Sequence, residues 1–203
     1  MHATDGDLTL RTITAADLPA LWEAAYGGDR SWLDWDGPYF PHDVPARDEF
    51  ITVIGPRDYA DNPWRAAIVV AGHPVGVVSA YYDDGDLRRW FECGIVIYDP
   101  TLWGRHIGQR ALTLWIDHLF SVTDLPRVGF TTWSGNTRML ALGPRLGMTK
   151  EACVRQVRWW DGRWWDSVRY GVLRDEWGQR PQESVASSGS RVNSAVGDKG
   201  KRV

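Results

Sequence analysis

The segment that most constrains the fold of this chain runs from Glu92 to Trp115 and reads ECGIVIYDPTLWGRHIGQRALTLW. A β-rich run ends at Tyr98, a glycine-bearing loop follows, and an amphipathic helix starts near Gly108. Unpaired backbone N–H groups at a helix start attract anions, and glycine lets a phosphate approach the backbone closely. The segment therefore predicts an anion site beside Gly108, although a simple tight turn fits the same pattern.

Hydrophobic periodicity and turn residues predict the other elements. The predicted strands are residues 8–14, 64–71, 75–82, 90–98, 127–133, 152–160 and 163–173, and the predicted helices are residues 15–26, 47–54, 107–120 and 137–146. Gly72-His73-Pro74 and Asp161-Gly162 are hairpin signals, and the second is the stronger of the two. This order is neither strict β–α alternation nor all-β, so it predicts a mixed sheet with helices on both faces.

Charge and composition exclude several classes of protein. The formal net charge is -3, and the Lys/Arg-rich end leaves the first 177 residues more acidic still, which argues against a nucleic-acid binder and suits a cationic substrate. No apolar run approaches the roughly 20 residues of a membrane span. The N-terminus lacks a signal-peptide layout, and two cysteines make no disulfide framework, so we expect a cytoplasmic protein.

The chain divides into one domain and a tail. Residues 1–177 hold all 13 tryptophans, whereas the segment after residue 183 has no aromatic residue, leucine or isoleucine. Such a segment buries too little apolar surface to offset the entropy of ordering. We therefore predict a domain at residues 1–177 and a disordered tail at residues 178–203.

The loop before the predicted anion site resembles a known family motif. Trp103-Gly104-Arg105-His106-Ile107-Gly108 resembles the pyrophosphate loop of the GNAT superfamily of N-acetyltransferases, in the W-G-x-G-x-G form of its Rim-type branch, the ribosomal-protein N-terminal acetyltransferases and their relatives. His106 replaces a customary glycine. Further matching blocks occur in the family's order, namely Glu92-Cys93-Gly94-Ile95, Asn136-Thr137-Arg138-Met139, Arg145-Leu146-Gly147-Met148, Asp161 to Asp166 and Arg174 to Trp177.

The resemblance implies a fold and a cofactor site. The fold would be a mostly antiparallel sheet of about seven strands, and the co-substrate would be acetyl-CoA, with no metal. The residues expected to bind it are Ile95, Val96 and Ile97 along the pantetheine arm, Trp103, Gly104, Arg105, His106, Ile107, Gly108 and Gln109 at the pyrophosphate, and Asn136 beside them. Arg105 and Arg110 add positive charge at this mouth.

Acyl transfer to an amine needs a proton acceptor, and a proton donor for the leaving thiolate assists it. Glu92 is the candidate base, because it sits among Trp90, Phe91, Cys93 and Ile95, where apolar surroundings would raise its pKa. The alternative is an ordinary solvent-facing strand residue. Many relatives carry the acid as a tyrosine at the position that Gly143 occupies here. The thiolate therefore leaves unaided, or Ser134, Tyr81 or Tyr82 serves.

The loop from Trp32 to Phe40, WLDWDGPYF, stands where relatives build the acceptor wall. Indole faces and carboxylates suit a cationic amine; the expected acceptor-binding residues are Trp32, Asp34, Trp35, Asp36 and Tyr39. A solvated acidic loop with two core tryptophans is the alternative interpretation of this loop.

Two functions from different classes remain open. The chain is an N-acetyltransferase acting on a primary amine of a protein N-terminus, a polyamine, or a small molecule or antibiotic, or it is a CoA-binding sensor or interaction module without catalysis. A nucleotide-binding protein fits less well, because no Gly-Lys-Ser/Thr loop and no Gly-x-Gly-x-x-Gly motif occurs. Monomer and homodimer both remain open.

Overall fold

Eight strands form one sheet in the computed structural model, which describes residues 1–180. The strands are β1 (His2–Asp5), β2 (Leu8–Arg11), β3 (Arg65–Val70), β4 (His73–Tyr82), β5 (Phe91–Ile97), β6 (Arg127–Trp133), β7 (Thr149–Trp160) and β8 (Arg163–Leu173), in the order β1-β2-β3-β4-β5-β6-β8-β7. Every neighbouring pair is antiparallel except the central pair of β5 and β6, which is parallel. The mostly antiparallel mixed sheet is thus confirmed, with β1 as an additional short edge strand.

Helical segments connect the strands. They are α1 (Leu18–Trp22), α2 (Arg47–Glu49), α3 (Gly55–Asp58), α4 (Ile107–Val122), α5 (Thr137–Arg145) and α6 (Arg174–Gly178). A 3-10 turn at Ala15–Asp17 and a π-helical turn at Glu23–Gly27 extend α1 at its two ends, and a π-helical turn at Phe50–Ile54 joins α2 to α3. The four predicted helices therefore occur close to their predicted places.

The two faces of the sheet are covered by different helices. The buried stripe of α4, which includes Ala111, Leu112 and Trp115, packs against one face. The segment around α1 packs against the opposite face, where Leu18 and Leu21 meet Val77. Helices on both faces were predicted, and both clusters exclude water because each helix buries one apolar stripe.

The first long hairpin turns earlier than its sequence indicates. Its two turn residues are Ala71 and Gly72, which both have positive φ angles of 49° and 83°. His73 and Pro74 belong to β4 instead, and Pro74 pairs with Val69 beside an irregularity in the register. Proline is tolerated there because a bulge does not need its missing N–H group.

The sheet opens at its centre. Only Phe91 with Val128 and Glu92 with Gly129 pair β5 to β6, although both strands continue for several residues. From Cys93 onward, the edge of β5 that faces β6 therefore has no strand partner. Its backbone groups are available to another molecule, apart from the Ile97 carbonyl oxygen, which accepts from Trp103.

The predicted boundary at residue 177 falls within α6, which ends at Gly178. Trp177 is buried and its Nε1 donates to Asp117, while Arg180 pairs with the same carboxylate. The rest of the predicted tail, residues 181–203, lies outside the described residues. No helix within residues 1–180 is both long and apolar enough to cross a bilayer.

Candidate active site

A cavity of about 360 Å³ lies where β5 and β6 part. Its lining comes from four places: the loop after α1, the end of β5, the loop that leads into α4, and the first turns of α5. The lining residues are Trp32, Trp35, Asp36, Ile95, Val96, Ile97, Leu102, Trp103, Gly104, His106, Ile107, Gly108, Gln109, Asn136, Thr137, Arg138, Met139, Ala141, Leu142 and Arg145. The open edge of β5 thus forms one wall of the cavity.

The start of α4 forms one end of the cavity. His106 is its N-cap residue and has no capping hydrogen bond from its side chain, so the N–H groups of Ile107, Gly108 and Gln109 have no intrahelical or capping partner. A Cβ atom added at Gly108 would lie 3.7 Å from Leu142 and 3.8 Å from Ile97, which is ordinary contact. The helix dipole and three free donors make this end suited to phosphate oxygens.

His106 adopts a left-handed backbone conformation, with φ 60° and ψ 5°. Glycine reaches this region without a steric penalty, which explains physically why the resembling motif has glycine at this position. A side chain other than glycine is strained there, and here it lines the cavity. Gly104, two residues earlier, also has a positive φ of 75°.

The arginines that line the cavity are not the ones that the sequence predicted at the start of α4. Arg110 does not face the cavity, because its guanidinium pairs with Asp5 at 2.8 Å and with Asp7 at 2.9 Å. Arg105 is exposed and is not part of the lining. Arg138 and Arg145 of α5 line the cavity instead, although sequence reasoning noted them only as parts of family motifs.

The loop from Trp32 to Phe40 forms the other end. The Trp32 indole is buried, lies 5.2 Å from the Tyr98 ring, and donates through Nε1 to the Ala25 carbonyl oxygen at 2.7 Å. Trp35 lies across the cavity, with its ring centroid 6.2 Å from that of Trp103. Asp36 completes this end. Among the described residues 1–180, it is the single carboxylate that lines the cavity.

Asn136 ties this loop to α5. Its Oδ1 accepts a hydrogen bond from the Met139 N–H group and caps the helix, while its Nδ2 donates to the Trp35 carbonyl oxygen at 2.9 Å. The Trp133 indole donates to the same oxygen at 3.2 Å. Asn136 therefore orders both sides of the cavity, besides lining it.

The Arg138 guanidinium joins the two ends. It lies 3.8 Å from the Trp35 ring centroid and 4.3 Å from that of Trp103. The Trp103 Nε1 in turn donates to the Ile97 carbonyl oxygen at 2.9 Å. These cation–π contacts connect the loop from Trp32 to Phe40, the loop that leads into α4, and α5 in one stack.

Two of the expected acceptor residues lie outside the cavity lining. Asp34 is exposed. Tyr39 packs edge-on against Trp133 at 6.1 Å, and the Arg158 guanidinium lies 4.8 Å from the Tyr39 ring centroid. Neither residue is therefore part of the cavity walls.

Glu92 is buried, with 0 % exposure, but its surroundings are polar rather than apolar. Its carboxylate accepts hydrogen bonds from Trp90 Nε1 at 2.7 Å, Arg127 Nη1 at 3.0 Å and Thr131 Oγ1 at 3.1 Å. The expectation of apolar surroundings was wrong, because Arg127 and Thr131 come from β6, far away in sequence. The solvent-facing alternative was wrong as well. Glu92 is not part of the cavity lining.

The candidate acids also lie outside the lining. Ser134 Oγ accepts from the Asp166 N–H group at 2.9 Å and holds the β8 strand. Tyr82 packs on Phe91 at 4.6 Å. Tyr81 is about half exposed, and partial burial together with the charge of Glu92 raises its pKa to about 12. Within the described lining, Thr137 alone carries a hydroxyl group.

Gly143 shows why a tyrosine is absent at that position. A Cβ atom there would lie 2.6 Å from the Tyr170 ring, which is closer than real contacts allow. The Tyr170 hydroxyl itself donates to the Leu140 carbonyl oxygen at 3.4 Å. Tyr170 thus fills the space that a larger residue at Gly143 would need.

Known proteins with similar sequences are named as acetyltransferases. The model of the "Acetyltransferase (GNAT) domain" family matches residues 7–149. "Putative ribosomal N-acetyltransferase YdaF" of Bacillus subtilis (strain 168) is 26% identical over 174 residues, which cover 84% of this chain and 93% of that protein.

Solved structures share the fold. A spermidine N-acetyltransferase from Vibrio cholerae in complex with CoA and spermine has a TM-score of 0.67 and 18% identity, over 85% of this chain and 99% of that chain. YncA from Salmonella typhimurium, "a putative acetyltransferase" with its cofactor acetyl-CoA, has a TM-score of 0.64 and 20% identity, over 82% of this chain and 94% of that chain. Because the family model matches well over half of its length, the chain belongs to the GNAT family of acetyltransferases.

Proposed function

We propose that this protein transfers an acetyl group from acetyl-CoA to a cationic primary amine, by direct attack of the amine on the thioester. The observation that carries the proposal is the polarity of the cavity. One end presents the free N–H groups of α4 together with Arg145, and the other end presents indole rings and the Asp36 carboxylate. An anionic carrier and a cationic acceptor would therefore enter opposite ends of one cavity.

The open edge of β5 supports the placement of the carrier. The pantetheine arm contains amide groups, and Ile95 and Ile97 lie on the edge of β5 that has no strand partner and forms one wall, where Trp103 already occupies the Ile97 carbonyl oxygen. The pyrophosphate would lie against Gly104 to Gln109, with Trp103 and Asn136 beside it. This arrangement directs the thioester toward the end that holds Asp36, because the phosphates occupy the other end.

The acceptor would be a primary amine that arrives as an ammonium ion. Indole rings attract cations, as the Arg138 guanidinium over Trp35 illustrates, and a carboxylate adds a charge-assisted hydrogen bond. A protein N-terminus, a polyamine and an amine-bearing small molecule all satisfy this chemistry. The relatives reflect the same range, since one is named as a ribosomal N-acetyltransferase and another is a spermidine N-acetyltransferase.

A CoA-binding module without catalysis is the second candidate. Two observations favour it: neither Glu92 nor Ser134 lines the cavity, and Gly143 provides no tyrosine hydroxyl. The two candidates differ in turnover rather than in CoA binding. An enzyme releases CoA faster when a suitable amine is added, whereas a module binds CoA and releases none.

The test measures both properties on the full chain. Calorimetry gives the affinity for CoA, and a thiol assay follows CoA release from acetyl-CoA with a peptide N-terminus, spermidine and a simple alkylamine. We expect amine-dependent release with at least one of these acceptors, and mass spectrometry should find the product heavier by one acetyl group. Tight CoA binding without release on any of the three acceptors contradicts the proposed enzyme.

A further inference from the structure

The cavity contains one carboxylate whose role the family motifs do not assign. Asp36 is the single acidic side chain in the lining that residues 1–180 contribute. No hydrogen bond or ion pair within the described part of the chain contributes to its titration, in contrast to the three donors that engage Glu92. Its oxygens are therefore free to accept a proton from a bound molecule.

The backbone on both sides of Asp36 is held in place. The Asp36 N–H group donates to the Trp32 carbonyl oxygen at 3.2 Å. The preceding carbonyl, that of Trp35, accepts from Trp133 Nε1 and Asn136 Nδ2. Gly37 follows with a positive φ of 61° and turns the chain away. Because the backbone holds the Asp36 side chain in place and its carboxylate oxygens have no partner among the described residues, Asp36 can serve as a proton acceptor.

The surroundings of Asp36 also favour this role. Its side chain is accessible to solvent and lines the cavity, yet the protein atoms crowded around it displace bulk water and raise its pKa, while the charge of His42 opposes that effect. A carboxylate with a raised pKa is a stronger base toward an ammonium ion than an ordinary aspartate.

The groups around Asp36 come from several elements. Those within electrostatic reach are His42 and Tyr39 of the same loop, Tyr26 after α1 and Tyr98 after β5. Farther out, Arg158 of β7 stacks on Tyr39 and Arg138 of α5 stacks on Trp35. Burial raises the pKa of all three tyrosines, so they stay neutral near pH 7 and do not compete for the proton.

We propose that Asp36 is the catalytic residue that takes the proton from the attacking ammonium group. This inference rests on the proposed function and adds the identity of its base. The ammonium ion gives one proton to the Asp36 carboxylate, which releases it to solvent. The nitrogen lone pair forms the C–N bond, and the C–S bond breaks with its electron pair left on sulfur. A second proton leaves the nitrogen and ends on that sulfur, giving an amide, free CoA thiol and one proton in solution.

The decisive experiment compares two acceptors of similar size. A primary alkylamine is protonated near neutral pH and must lose a proton before it attacks, whereas an O-alkylhydroxylamine is already neutral. Steady-state rates are measured with both acceptors for the wild type, Asp36→Asn and Asp36→Glu. Asp43→Asn is the matched control, because it removes the same charge from an exposed position outside the cavity lining.

We expect Asp36→Asn to lower kcat with the alkylamine by about 10²–10⁴-fold and to affect the O-alkylhydroxylamine far less. The wild-type rate should fall on acidification through an ionisation above the usual range of aspartate, because only the deprotonated carboxylate accepts a proton. That acid limb should be absent from Asp36→Asn and should persist in Asp36→Glu and Asp43→Asn. Calorimetry with CoA should show an unchanged Kd in all three variants, which shows that the fold is intact.

Three results overturn the inference. If Asp36→Asn raises only the KM of the alkylamine and keeps kcat and the acid limb, Asp36 binds the cation without taking its proton, and the proposed function stands. If both acceptors lose activity equally, proton removal is not the affected step. If the wild type turns over neither acceptor nor the peptide and spermidine, the proposed function itself fails.

Discussion

The two ends of the cavity are built in different ways. The end that we propose for the phosphates uses backbone: the N–H groups of α4, the edge of β5, and a left-handed residue at His106. The acceptor end uses side chains on a loop, chiefly Trp32, Trp35 and Asp36, which are held by hydrogen bonds from Asn136 and Trp133. Backbone donors depend little on which residues surround them, whereas a loop of side chains changes its chemistry with each substitution.

This difference explains why a sequence motif indicates the phosphate site but not the acceptor site. A phosphate site made of N–H groups needs only the strand–loop–helix path and small residues, and those leave a readable pattern in the sequence. An acceptor site made of indoles and a carboxylate has no fixed spacing, since its residues are positioned by tertiary contacts. Substitutions of Gly108, Glu92 and Arg138 test whether the two ends differ in this way.

The largest effect is expected at the phosphate end. Gly108→Asp places a carboxylate against the phosphates, and like charges brought together cost several kcal/mol, so the Kd for CoA should rise by a factor on the order of 100 or more. Gly108→Ala is the matched control, because a Cβ atom there makes only ordinary contacts. Calorimetry that finds equal affinities in the Asp and Ala variants would place the phosphates elsewhere.

A smaller effect is expected from a substitution of Glu92, which lies outside the cavity lining. Glu92→Gln breaks a buried ion pair, but Arg127 keeps its contact with Glu151 and the amide keeps the shape. We expect unfolding free energy to fall by about 2 kcal/mol, less than the full cost of an unpaired buried charge, and Tm to fall by about 4–8 °C. Thermal unfolding followed by calorimetry measures this.

The sequence-based prediction that Glu92 is the base expects another result from the same variant. In that case the maximal rate falls by about 10²–10⁴-fold, the pH dependence is lost, and the Kd for CoA hardly changes. Asp36→Asn, measured in parallel, serves as the comparison, because its carboxylate has no ion pair to lose. A lower Tm with preserved pH dependence assigns Glu92 to the fold alone, and loss of the pH dependence returns it to catalysis.

The smallest effect is expected at Arg138, which contacts both ends. Arg138→Ala removes two cation–π contacts, each worth about 0.5–1 kcal/mol at an exposed site. The Kd for CoA and the KM for the amine should therefore both rise, by about 2–5-fold, because each end loses one contact. Arg163→Ala is the control, because Arg163 stacks on Trp165 at 3.5 Å outside the cavity lining. A rise in only one of the two constants means that Arg138 serves one end alone.

Most elements of the fold follow from local pattern. The strands Arg127–Trp133 and Arg163–Leu173 begin and end where their alternation predicts, and α4 begins at Ile107 as its apolar stripe indicates. The edge strand β1 escaped prediction because four residues at a chain end carry little periodicity. The early turn at Ala71 escaped because Pro74 was interpreted as part of the turn rather than as a strand residue beside an irregular register.

In the candidate site as well, the local features were predictable and the long-range contacts were not. All the predicted carrier-binding residues except Arg105 line the cavity, and so do Trp32, Trp35 and Asp36. The partners of Glu92 were not predictable, because Arg127 and Thr131 reach it only when β6 lies beside β5. For the same reason Arg110 faces Asp5 and Asp7 rather than the phosphates, since β1 and β2 bring those carboxylates close.

By itself, the sequence determined the family, the mixed sheet and the strand–loop–helix path at the proposed phosphate end, because periodicity, glycine and helix starts act locally along the chain. The tertiary structure alone decided which carboxylate is engaged and which is free. Glu92 and Asp36 are both acidic residues near aromatic side chains in sequence, yet only long-range pairing places Arg127 against one of them. The availability of a charge depends on what folding brings beside it, and that information is not local.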